Sequence, residues 1–280
     1  MSEPRIGLAL GGGGARGMSH IPVLEAFDEL GIRPYAIAGT SIGSILGAAY
    51  AAGRSGKEVR GIALDLFADR NAVLGALWKL RPKKLTDMFT GGTVTFDPLN
   101  VLEAFVAEHL PESFEELDIP LTVLATDFYG CNEVDITKGP LLPAIAASIA
   151  IPAVFRPITR EGRILIDGGV VNPLPFDRLP PECDVVVAVD VVGAPVPRND
   201  RQSPTSLDAI FGSSQILMQS ITQQKLKQGR PELLLRPEND NIRVLDFLKT
   251  QQVLDKAESL RVHTIQRLTE ILSDLEKNNN

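Results

Sequence analysis

Ser41 is the residue of this sequence whose surroundings best suit nucleophilic chemistry. It stands at the centre of a Gly-x-Ser-x-Gly motif, between Gly39 and Gly43, after a short aliphatic run and before an apolar segment of helical length. At a sharp strand-to-helix turn the two glycines remove side chains where the backbone segments approach closely, and the serine oxygen is exposed at the start of the helix. The motif therefore predicts an activated serine hydroxyl.

A run of four glycines, residues 11–14, follows the first aliphatic run. Gly12, Gly14 and Gly17 also satisfy a Gly-x-Gly-x-x-Gly pattern, which in a dinucleotide-binding fold is followed by an acidic residue at the end of the second strand. That strand leads into the serine motif instead, and no Gly-Lys-Ser/Thr sequence closes a P-loop. A nucleotide-binding enzyme is therefore the weaker interpretation. The amides of Gly12, Gly13 and Gly14 instead predict an oxyanion hole.

A serine hydroxyl needs a base, and histidine is the usual one. The three histidines, His20, His109 and His263, lie in or at the end of predicted helices rather than in a turn that ends a strand. Each is expected to be a packed or surface residue. Asp167 is the better candidate, because it ends an aliphatic run and precedes two glycines, so that a strand delivers its carboxylate into a tight turn. This carboxylate would act on the serine directly.

The hydrophobic pattern predicts the elements that position these groups. Short aliphatic runs alternate with segments of helical length, which is typical of an α/β fold with a mostly parallel central sheet and helices on both faces. Pro22 places the start of the first helix near Ser19 or His20, so the glycine loop extends beyond its glycines. The predicted strands are 6–10, 36–38, 121–126, 164–166, 185–192 and 232–236, and the predicted helices are 20–30, 42–52, 57–78, 98–109, 207–228 and 250–277.

Length and composition predict a globular core with an extension. The 280 residues are 44% hydrophobic and 22% charged, which is enough apolar material for a sizeable core. We expect a core over 1–195 that includes a helical insert at about 54–118, and a mainly helical extension over 196–280 packed on that core. The polar, proline-bearing segment 193–206 is expected to be a mobile loop.

Charge and cysteine content argue against several classes of function. A net charge of −7 gives no electrostatic reason to bind nucleic acid, although apolar patches can still contact a membrane surface peripherally. Cys131 and Cys183 are far apart and lack metal-ligand neighbours, so neither a disulfide framework nor a metal site is expected. The chain lacks an apolar run of signal-peptide or membrane-span length, which predicts a cytoplasmic location. No cofactor is predicted.

Together these motifs resemble the patatin-like phospholipase family. The resemblance rests on residues 11–17, 39–43, 167–169 and 172–175, with a further block at 147–152 that is similar to the small-residue helix and turn beside the family's active site. It implies a three-layer α/β/α sandwich, a Ser–Asp dyad and hydrolysis of lipid carboxylic esters such as those of phospholipids, lysophospholipids or acylglycerols. It identifies neither the lipid nor an oligomeric state.

The resemblance also implies roles for individual residues. Ser41 would attack the ester while Asp167 accepts its proton, and water would hydrolyse the acyl-enzyme. Arg16 would support the oxyanion loop or bind a lipid phosphate, whereas Ser148 is expected to be a packing residue. The alternative is a catalytically idle lipid-binding or regulatory protein on the same fold. The supporting residues are Arg16, Gly39, Gly43, Gly168 and Gly169.

The insert suggests where an acyl chain could bind. Each buried methylene contributes ~0.8 kcal/mol, so an acyl chain requires apolar surroundings. The insert holds the densest set of large apolar side chains outside the predicted sheet, and we expect part of it to form an acyl pocket. The alternative is that these side chains belong to the core. They are Phe67, Leu74, Leu77, Trp78, Met88 and Phe89.

Overall fold

The computed structural model describes residues 4–80, 95–196 and 203–278. Their strands form one 8-stranded sheet. The strands are β1 (Ile6–Leu10), β2 (Ala36–Thr40), β3 (Leu121–Asp127), β4 (Asn132–Ile136), β5 (Ile158–Arg160), β6 (Arg163–Asp167), β7 (Val185–Val189) and β8 (Leu233–Leu235).

Helices connect most of these strands. The described α-helices are α1 (His20–Glu29), α2 (Ile42–Ala51), α3 (Gly56–Ala68), α4 (Arg70–Leu80), α5 (Pro98–Phe105), α6 (Leu141–Ser148), α7 (Ser206–Gln228) and α8 (Thr250–Asn278). The described 3₁₀ turns cover Gly14–Ser19, Ala107–His109, Phe114–Glu116, Gly168–Val170, Phe176–Arg178 and Phe247–Lys249.

The strand order is β5-β6-β3-β2-β1-β7-β8, with β4 paired to β3 outside this path. The central pairs β3–β2, β2–β1, β1–β7 and β7–β8 are parallel. The pairs β3–β4, β3–β6 and β5–β6 are antiparallel. The predicted α/β fold with a mostly parallel central sheet is therefore confirmed, and its antiparallel part is confined to one end of the sheet.

Alternating side chains of the central strands pack on opposite faces of the sheet. Leu8 belongs to the larger apolar cluster, to which α1, α2, α6 and α8 contribute. Ala9 belongs to a smaller cluster that also contains Leu174, Phe176 and, at its margin, Leu226 of α7. Because successive residues of a strand point to opposite sides, the sheet forms the middle of three layers.

Several predicted boundaries change in the structure. The predicted helix 57–78 is two helices, because Asp69 adopts an extended conformation after α3 and its carboxylate accepts the amides of Asn71 and Ala72 at the start of α4. An aspartate at this position favours a new helix start. The start of α1 at His20, despite Pro22, agrees with the prediction.

Other differences come from short or exposed segments. β4 and β5 were not predicted, since β4 exposes much of its length and β5 has only 3 residues. The predicted late strand is β8, which joins the sheet beside β7. The division of the chain at about residue 195 remains a prediction. Within the predicted loop 193–206, residues 197–202 lie outside the described part of the chain.

The described helices include none that combines the length and the apolar character needed to cross a lipid bilayer.

Candidate active site

β3 brings the predicted nucleophile and the predicted base together. Thr40, the last residue of β2, pairs with Leu124, and Asp167, the last residue of β6, pairs with Ala125. The pairing partners of Thr40 and Asp167 are therefore consecutive residues of one strand. Ser41 follows Thr40 directly, and its Oγ donates a hydrogen bond of 2.7 Å to Asp167 Oδ2.

Ser41 and Asp167 meet because β6 lies on the same side of β3 as β2. β4 overlaps β2 along one part of β3 and overlaps β6 along another part. Two strands that pair with the same residues must lie on opposite sides, so β2 and β6 both lie opposite β4. β6 thus occupies the place beside β3 that β2 leaves when it ends. Because β6 runs antiparallel to β3, its last residue, Asp167, lies beside the end of β2.

The turn at Ser41 has the strained backbone expected of a nucleophile elbow. Ser41 has φ 53° and ψ −123°, in a region that residues with a side chain rarely adopt. The flanking glycines are required by close approach: a Cβ at Gly39 would lie 2.6 Å from the carbonyl oxygen of Gly43, and a Cβ at Gly43 would overlap the carbonyl oxygen of Leu10. A side chain at Gly39 would clash within the turn itself, and one at Gly43 would clash with the end of β1.

A second serine holds the strained turn in place. Ser148, at the end of α6, is fully buried, and its Oγ accepts the Ser41 amide at 2.9 Å while donating to the carbonyl oxygen of Leu124 at 2.5 Å. The Ser41 carbonyl oxygen in turn accepts both the amide and the hydroxyl of Ser44, at 2.8 and 2.6 Å. Ser148 therefore ties Ser41 to β3. Besides packing, its buried hydroxyl orients both of these partners.

Asp167 is a buried carboxylate without a cationic partner among the described residues. Its Oδ1 accepts the amide of Gly169 at 2.7 Å, and its backbone carbonyl oxygen accepts the hydroxyl of Thr126 at 2.8 Å. Burial raises the pKa of Asp167 from its ordinary value of 3.8 to about 6, and the hydrogen bonds from Ser41 and Gly169 oppose that rise. A carboxyl group with this pKa can exchange a proton near neutral pH. Gly168 packs directly on the carbonyl oxygen of Leu124.

The glycine loop lies beside Ser41. A Cβ at Gly12 would lie 3.3 Å from Ser41 Cβ, and the Gly12 amide donates to the carbonyl oxygen of Pro173 at 2.9 Å. The amides of Gly13 and Gly14 have no acceptor within the described ranges. Gly14 has φ 59° and packs on Val244, so a side chain there would meet both strain and the neighbouring backbone. Of the three predicted amides, Gly13 and Gly14 are thus free to bind an anion.

His20 is bound to the glycine loop and not to the serine. It is fully buried, and its Nε2–H donates to the carbonyl oxygen of Gly11 at 2.9 Å. Burial lowers the pKa of His20 to about 4, so the ring is neutral at physiological pH. The other two histidines lie elsewhere: His109 is in the insert beside Glu108, and His263 is an exposed residue of α8. Within the described ranges, no histidine side chain is hydrogen-bonded to Ser41 or Asp167.

The side chain of Arg16 anchors the glycine loop to neighbouring segments of the chain. Its side chain is buried, and it donates to the carbonyl oxygens of Val191 at 3.2 Å and Ile242 at 2.9 Å. The amide oxygen of Gln215 on α7, in the orientation that satisfies both groups, accepts from the guanidinium at 2.7 and 2.8 Å. Burial lowers the pKa of Arg16 to about 10, while Asp240 and Asp190 favour its charged form. These contacts fit a loop support, whereas the expected contact with a lipid phosphate stays a prediction.

Thr40 and Asn172 are positioning residues that sequence reasoning misses. The Thr40 hydroxyl donates to the Asn172 carbonyl oxygen at 2.9 Å, and the Asn172 amide donates to Glu133 and Asp177, each at 2.9 Å. Lys225 of α7 joins the same network, with distances of 2.9 Å to Glu133 and 2.7 Å to Asp177. Both residues lie within the recognised blocks 39–43 and 172–175, but the sequence does not show which groups they contact.

α7 passes beside the turn that follows Asp167. Met218 on this helix is the neighbour that a Cβ at Gly169 would meet at 3.2 Å. Ser41 is only 5% exposed and Asp167 7% exposed, so a substrate must displace part of what covers them. Two surface cavities flank α7: one of about 780 Å³ borders Gln219 and one of about 590 Å³ borders Lys225. Neither cavity is lined by Ser41 or Asp167.

The predicted acyl-pocket residues do not form one group in the described structure. Phe67 packs against the core and stacks on Phe247 with ring centroids 5.5 Å apart. Leu74 and Trp78 lie on α4 and are exposed. The Leu77 side chain and the segment that holds Met88 and Phe89 lie outside the described parts of the chain. Phe67 is therefore a core residue.

Comparison with known proteins identifies relatives of this chain. The family profile described as Patatin-like phospholipase matches residues 8–180, a range that contains the paired serine and aspartate. An uncharacterised NTE family protein of Mycobacterium tuberculosis is 39% identical over 194 residues, which are 69% of this chain and 51% of that protein. The chain thus spans about half the length of this relative.

Two further matches are more distant or more partial. Lysophospholipase NTE1 of Kluyveromyces lactis is 34% identical over 203 residues, which are 68% of this chain and 13% of that protein. Among solved structures, VipD from Legionella pneumophila superimposes with a TM-score of 0.43 at 14% identity, covering 91% of this chain and 67% of that chain.

The Ser148 contacts predict a stability difference between two buried serines. Ser148→Ala leaves the buried Ser41 amide without its acceptor, which costs roughly 1 to 3 kcal/mol of unfolding free energy. Ser44→Ala is the matched control, because the Ser44 amide still donates to the Ser41 carbonyl oxygen when the hydroxyl is lost. Denaturant unfolding of both variants measures the difference. Equal losses in the two variants would contradict the assigned role of Ser148.

The pKa of Asp167 predicts that removing its charge stabilises the fold at neutral pH. Because folding raises this pKa, the stability contribution of Asp167 is fully present below about pH 4 and is lost as the pH rises through about 6. Asp167→Asn is therefore expected to be more stable than the unsubstituted chain by roughly 2 to 3 kcal/mol at pH 7, with the difference vanishing near pH 4. Thermal unfolding at both pH values tests this. A variant that is less stable at pH 7 would refute the assigned cost of burial.

Proposed function

The chain belongs to the patatin-like phospholipase family, and from this premise we propose that it is a serine hydrolase of lipid carboxylic esters. The observation that carries the proposal is the 2.7 Å hydrogen bond from Ser41 Oγ to a buried carboxylate, at a strained strand-to-helix turn. Buried carboxylates without a cation are costly, and strained turns with a side chain are rare. Their coincidence at one hydroxyl supports a catalytic rather than an idle site.

In the first half-reaction, Ser41 Oγ attacks the ester carbonyl carbon. The Oγ proton passes to Asp167 Oδ2, which already accepts it in a hydrogen bond. The C=O bond opens and its oxygen becomes an oxyanion. When the tetrahedral intermediate collapses, the bond to the leaving alcohol breaks, and Asp167 returns the proton to the alcohol oxygen. An acyl ester on Ser41 remains.

The oxyanion is bound by the amides of Gly13 and Gly14. Both amides are without another acceptor in the described structure, while the neighbouring Gly12 amide is engaged by Pro173. Removing one such donor typically costs about 3 kcal/mol of transition-state stabilisation. The loop is held from behind by neutral His20 and charged Arg16, so its amides do not reorganise when the charge develops.

Water completes the reaction. Asp167 accepts a proton from a water molecule, whose oxygen attacks the acyl carbonyl carbon. Collapse of the second intermediate breaks the bond to Ser41 Oγ, and Asp167 returns the proton to that oxygen. The products are a carboxylic acid and a regenerated serine. One carboxyl group with a pKa near 6 thus acts as base and acid in turn.

The substrate class we propose is the glycerolipids, including phospholipids, lysophospholipids and acylglycerols. The family description and the name of the yeast relative, a lysophospholipase, support this class. Turnover of lysophosphatidylcholine, a diacyl phospholipid and a monoacylglycerol, each compared with Ser41→Ala, tests it. Labelling of the unsubstituted chain by a fluorophosphonate, absent in Ser41→Ala, would establish the nucleophile independently of the substrate.

The proposed dyad predicts non-additive losses. Ser41→Ala and Asp167→Asn should each reduce turnover of a soluble ester by at least about a thousandfold, because each removes a member of one proton-transfer unit. The double variant should be no more than about tenfold worse than either single one. Steady-state kinetics measure this, with circular dichroism as the control for folding. Losses that multiply across the two positions would contradict a shared step.

The proposed base predicts the pH profile. Protonated Asp167 cannot accept the serine proton, so kcat/KM should fall as the pH drops through an apparent pKa near 6. His109→Ala and His263→Ala should keep the same profile and stay within about tenfold of the unsubstituted chain. A thousandfold loss in either folded variant, or a profile that disappears with one histidine, would assign the base to that histidine instead.

A further inference from the structure

The glycine loop is bonded to a segment that is far away in the sequence. Residues 239–244 lie between β8 and α8, outside the range that the family profile matches. The carbonyl oxygen of Val244 accepts the Ala15 amide at 2.8 Å, and that of Ile242 accepts the Arg16 guanidinium at 2.9 Å. The segment 239–244 therefore supports the loop that holds the proposed oxyanion hole.

The loop is fixed before its two free amides by residues within the family range. The peptide group that joins Gly11 and Gly12 is held at both ends. Its oxygen accepts from His20 at 2.9 Å, and its N–H donates to the carbonyl oxygen of Pro173 at 2.9 Å. Because a peptide group is planar, contacts at both of its polar atoms fix its direction. The chain therefore enters the oxyanion hole in one orientation.

After the free amides, the loop is fixed by the segment 239–244. The peptide group that joins Gly14 and Ala15 donates its N–H to the carbonyl oxygen of Val244, and a Cβ at Gly14 would overlap the same oxygen. Gly14 has φ 59°, a conformation that favours glycine. Gly14 thus lies in direct contact with Val244, and a displacement of Val244 would also displace the Gly14 amide.

Asn239 is the side chain that attaches this segment to the loop. It is 1% exposed, and its Nδ2 donates to the carbonyl oxygen of Arg16 at 3.3 Å and to Ser19 Oγ at 2.8 Å. Its own carbonyl oxygen accepts the Ile242 amide at 3.0 Å, which closes the turn at the start of the segment. The side-chain amide thus satisfies two acceptors of the 3₁₀ turn Gly14–Ser19. A side chain without a donor could not bind the Arg16 carbonyl oxygen.

We propose that Asn239 is a positioning residue for the proposed oxyanion hole. Through its two hydrogen bonds it holds the segment 239–244 on the glycine loop, and so keeps the Gly14 amide directed at the oxyanion. The inference rests on the proposed function, because an oxyanion forms only if an ester is attacked. Asn239 binds the loop and not the dyad, so it acts on the step in which charge develops on the carbonyl oxygen. The alternative is a residue that only stabilises the fold.

Kinetics on p-nitrophenyl butyrate, a soluble ester, test the proposal. Asn239→Ala removes both hydrogen bonds, whereas Asn239→Asp keeps the size of the side chain but cannot donate to the Arg16 carbonyl oxygen when ionised. Both variants should lower kcat by at least about tenfold and leave KM within about threefold. The reason is that both half-reactions pass through an oxyanion, which depends on the Gly14 amide more than the uncharged ester does.

Inhibition by a trifluoromethyl ketone of the same chain length is a readout that a purely structural role would not move. Ser41 Oγ adds to the ketone carbon, its proton passes to Asp167, and the ketone oxygen becomes an oxyanion in the proposed hole. The inhibition constant should rise in both Asn239 variants by the factor by which kcat/KM falls. The pH profile should keep its apparent pKa near 6, because Asp167 keeps its hydrogen bonds.

Two further variants separate positioning from stability. Thr264 is likewise fully buried and hydrogen-bonded through its side chain, but to the Leu260 carbonyl oxygen within α8, at 2.6 Å. Thr264→Ala should lower the melting temperature and keep kcat within about twofold. Ser19→Ala keeps Asn239 and removes one of its acceptors, which is a milder change. It should lower kcat/KM and raise the inhibition constant by the same factor, about threefold, even if the Asn239 variants fold poorly.

Several results would overturn the positioning proposal. They are an unchanged kcat in folded Asn239→Ala or Ser19→Ala, a loss that appears in KM instead, and an equal kcat loss in Thr264→Ala. A kcat loss without a rise in the inhibition constant also overturns it, because the oxyanion hole would then be intact. If the unsubstituted chain does not hydrolyse the ester, or Ser41→Ala hydrolyses it equally, the proposed function fails. Hydrolysis that needs Ser41 but not Asn239 refutes the positioning role alone.

Discussion

The pairing of two strands with consecutive residues of β3 is the constraint on which the site depends. Thr40 at the end of β2 faces Leu124, and Asp167 at the end of β6 faces Ala125. A shift of either strand by one residue would move its side chains to the other face of the sheet. The hydrogen bond from Ser41 to Asp167 is therefore a consequence of sheet register, and the surrounding bonds from Ser148 and Thr126 secure that register.

Burial makes this pair chemically useful and thermodynamically costly at once. The same desolvation that raises the pKa of Asp167 to about 6 makes its carboxylate a stronger base toward a serine hydroxyl. An ionised carboxylate at neutral pH then opposes folding. The large apolar core, to which α1, α2, α6 and α8 contribute, offsets this cost. The positive φ of Ser41 adds backbone strain of about 1 to 3 kcal/mol at the same place.

α7 contacts segments on either side of the hydrogen-bonded pair of Ser41 and Asp167. One residue of this helix, Gln215, contacts the arginine that supports the glycine loop, and another, Met218, lies beside Gly169. Ile210, Ile216 and Leu217 of the same helix are exposed. The inner face of α7 thus combines polar contacts with the apolar side chains of Met218 and Leu226.

Sequence alone determined the parts of this protein that depend on local backbone geometry. The glycines around Ser41 and after Asp167 mark turns that only small residues allow, and the aliphatic runs mark strands, so the fold class and both groups of the pair were predictable. Contacts between distant segments were not predictable, because the hydrophobic period and the composition carry no information on which strands become neighbours. Tertiary structure alone decided that Ser148 holds the elbow, that Pro173 takes the Gly12 amide, and that α7 exposes its aliphatic side chains. Each depends on packing between elements far apart in the chain.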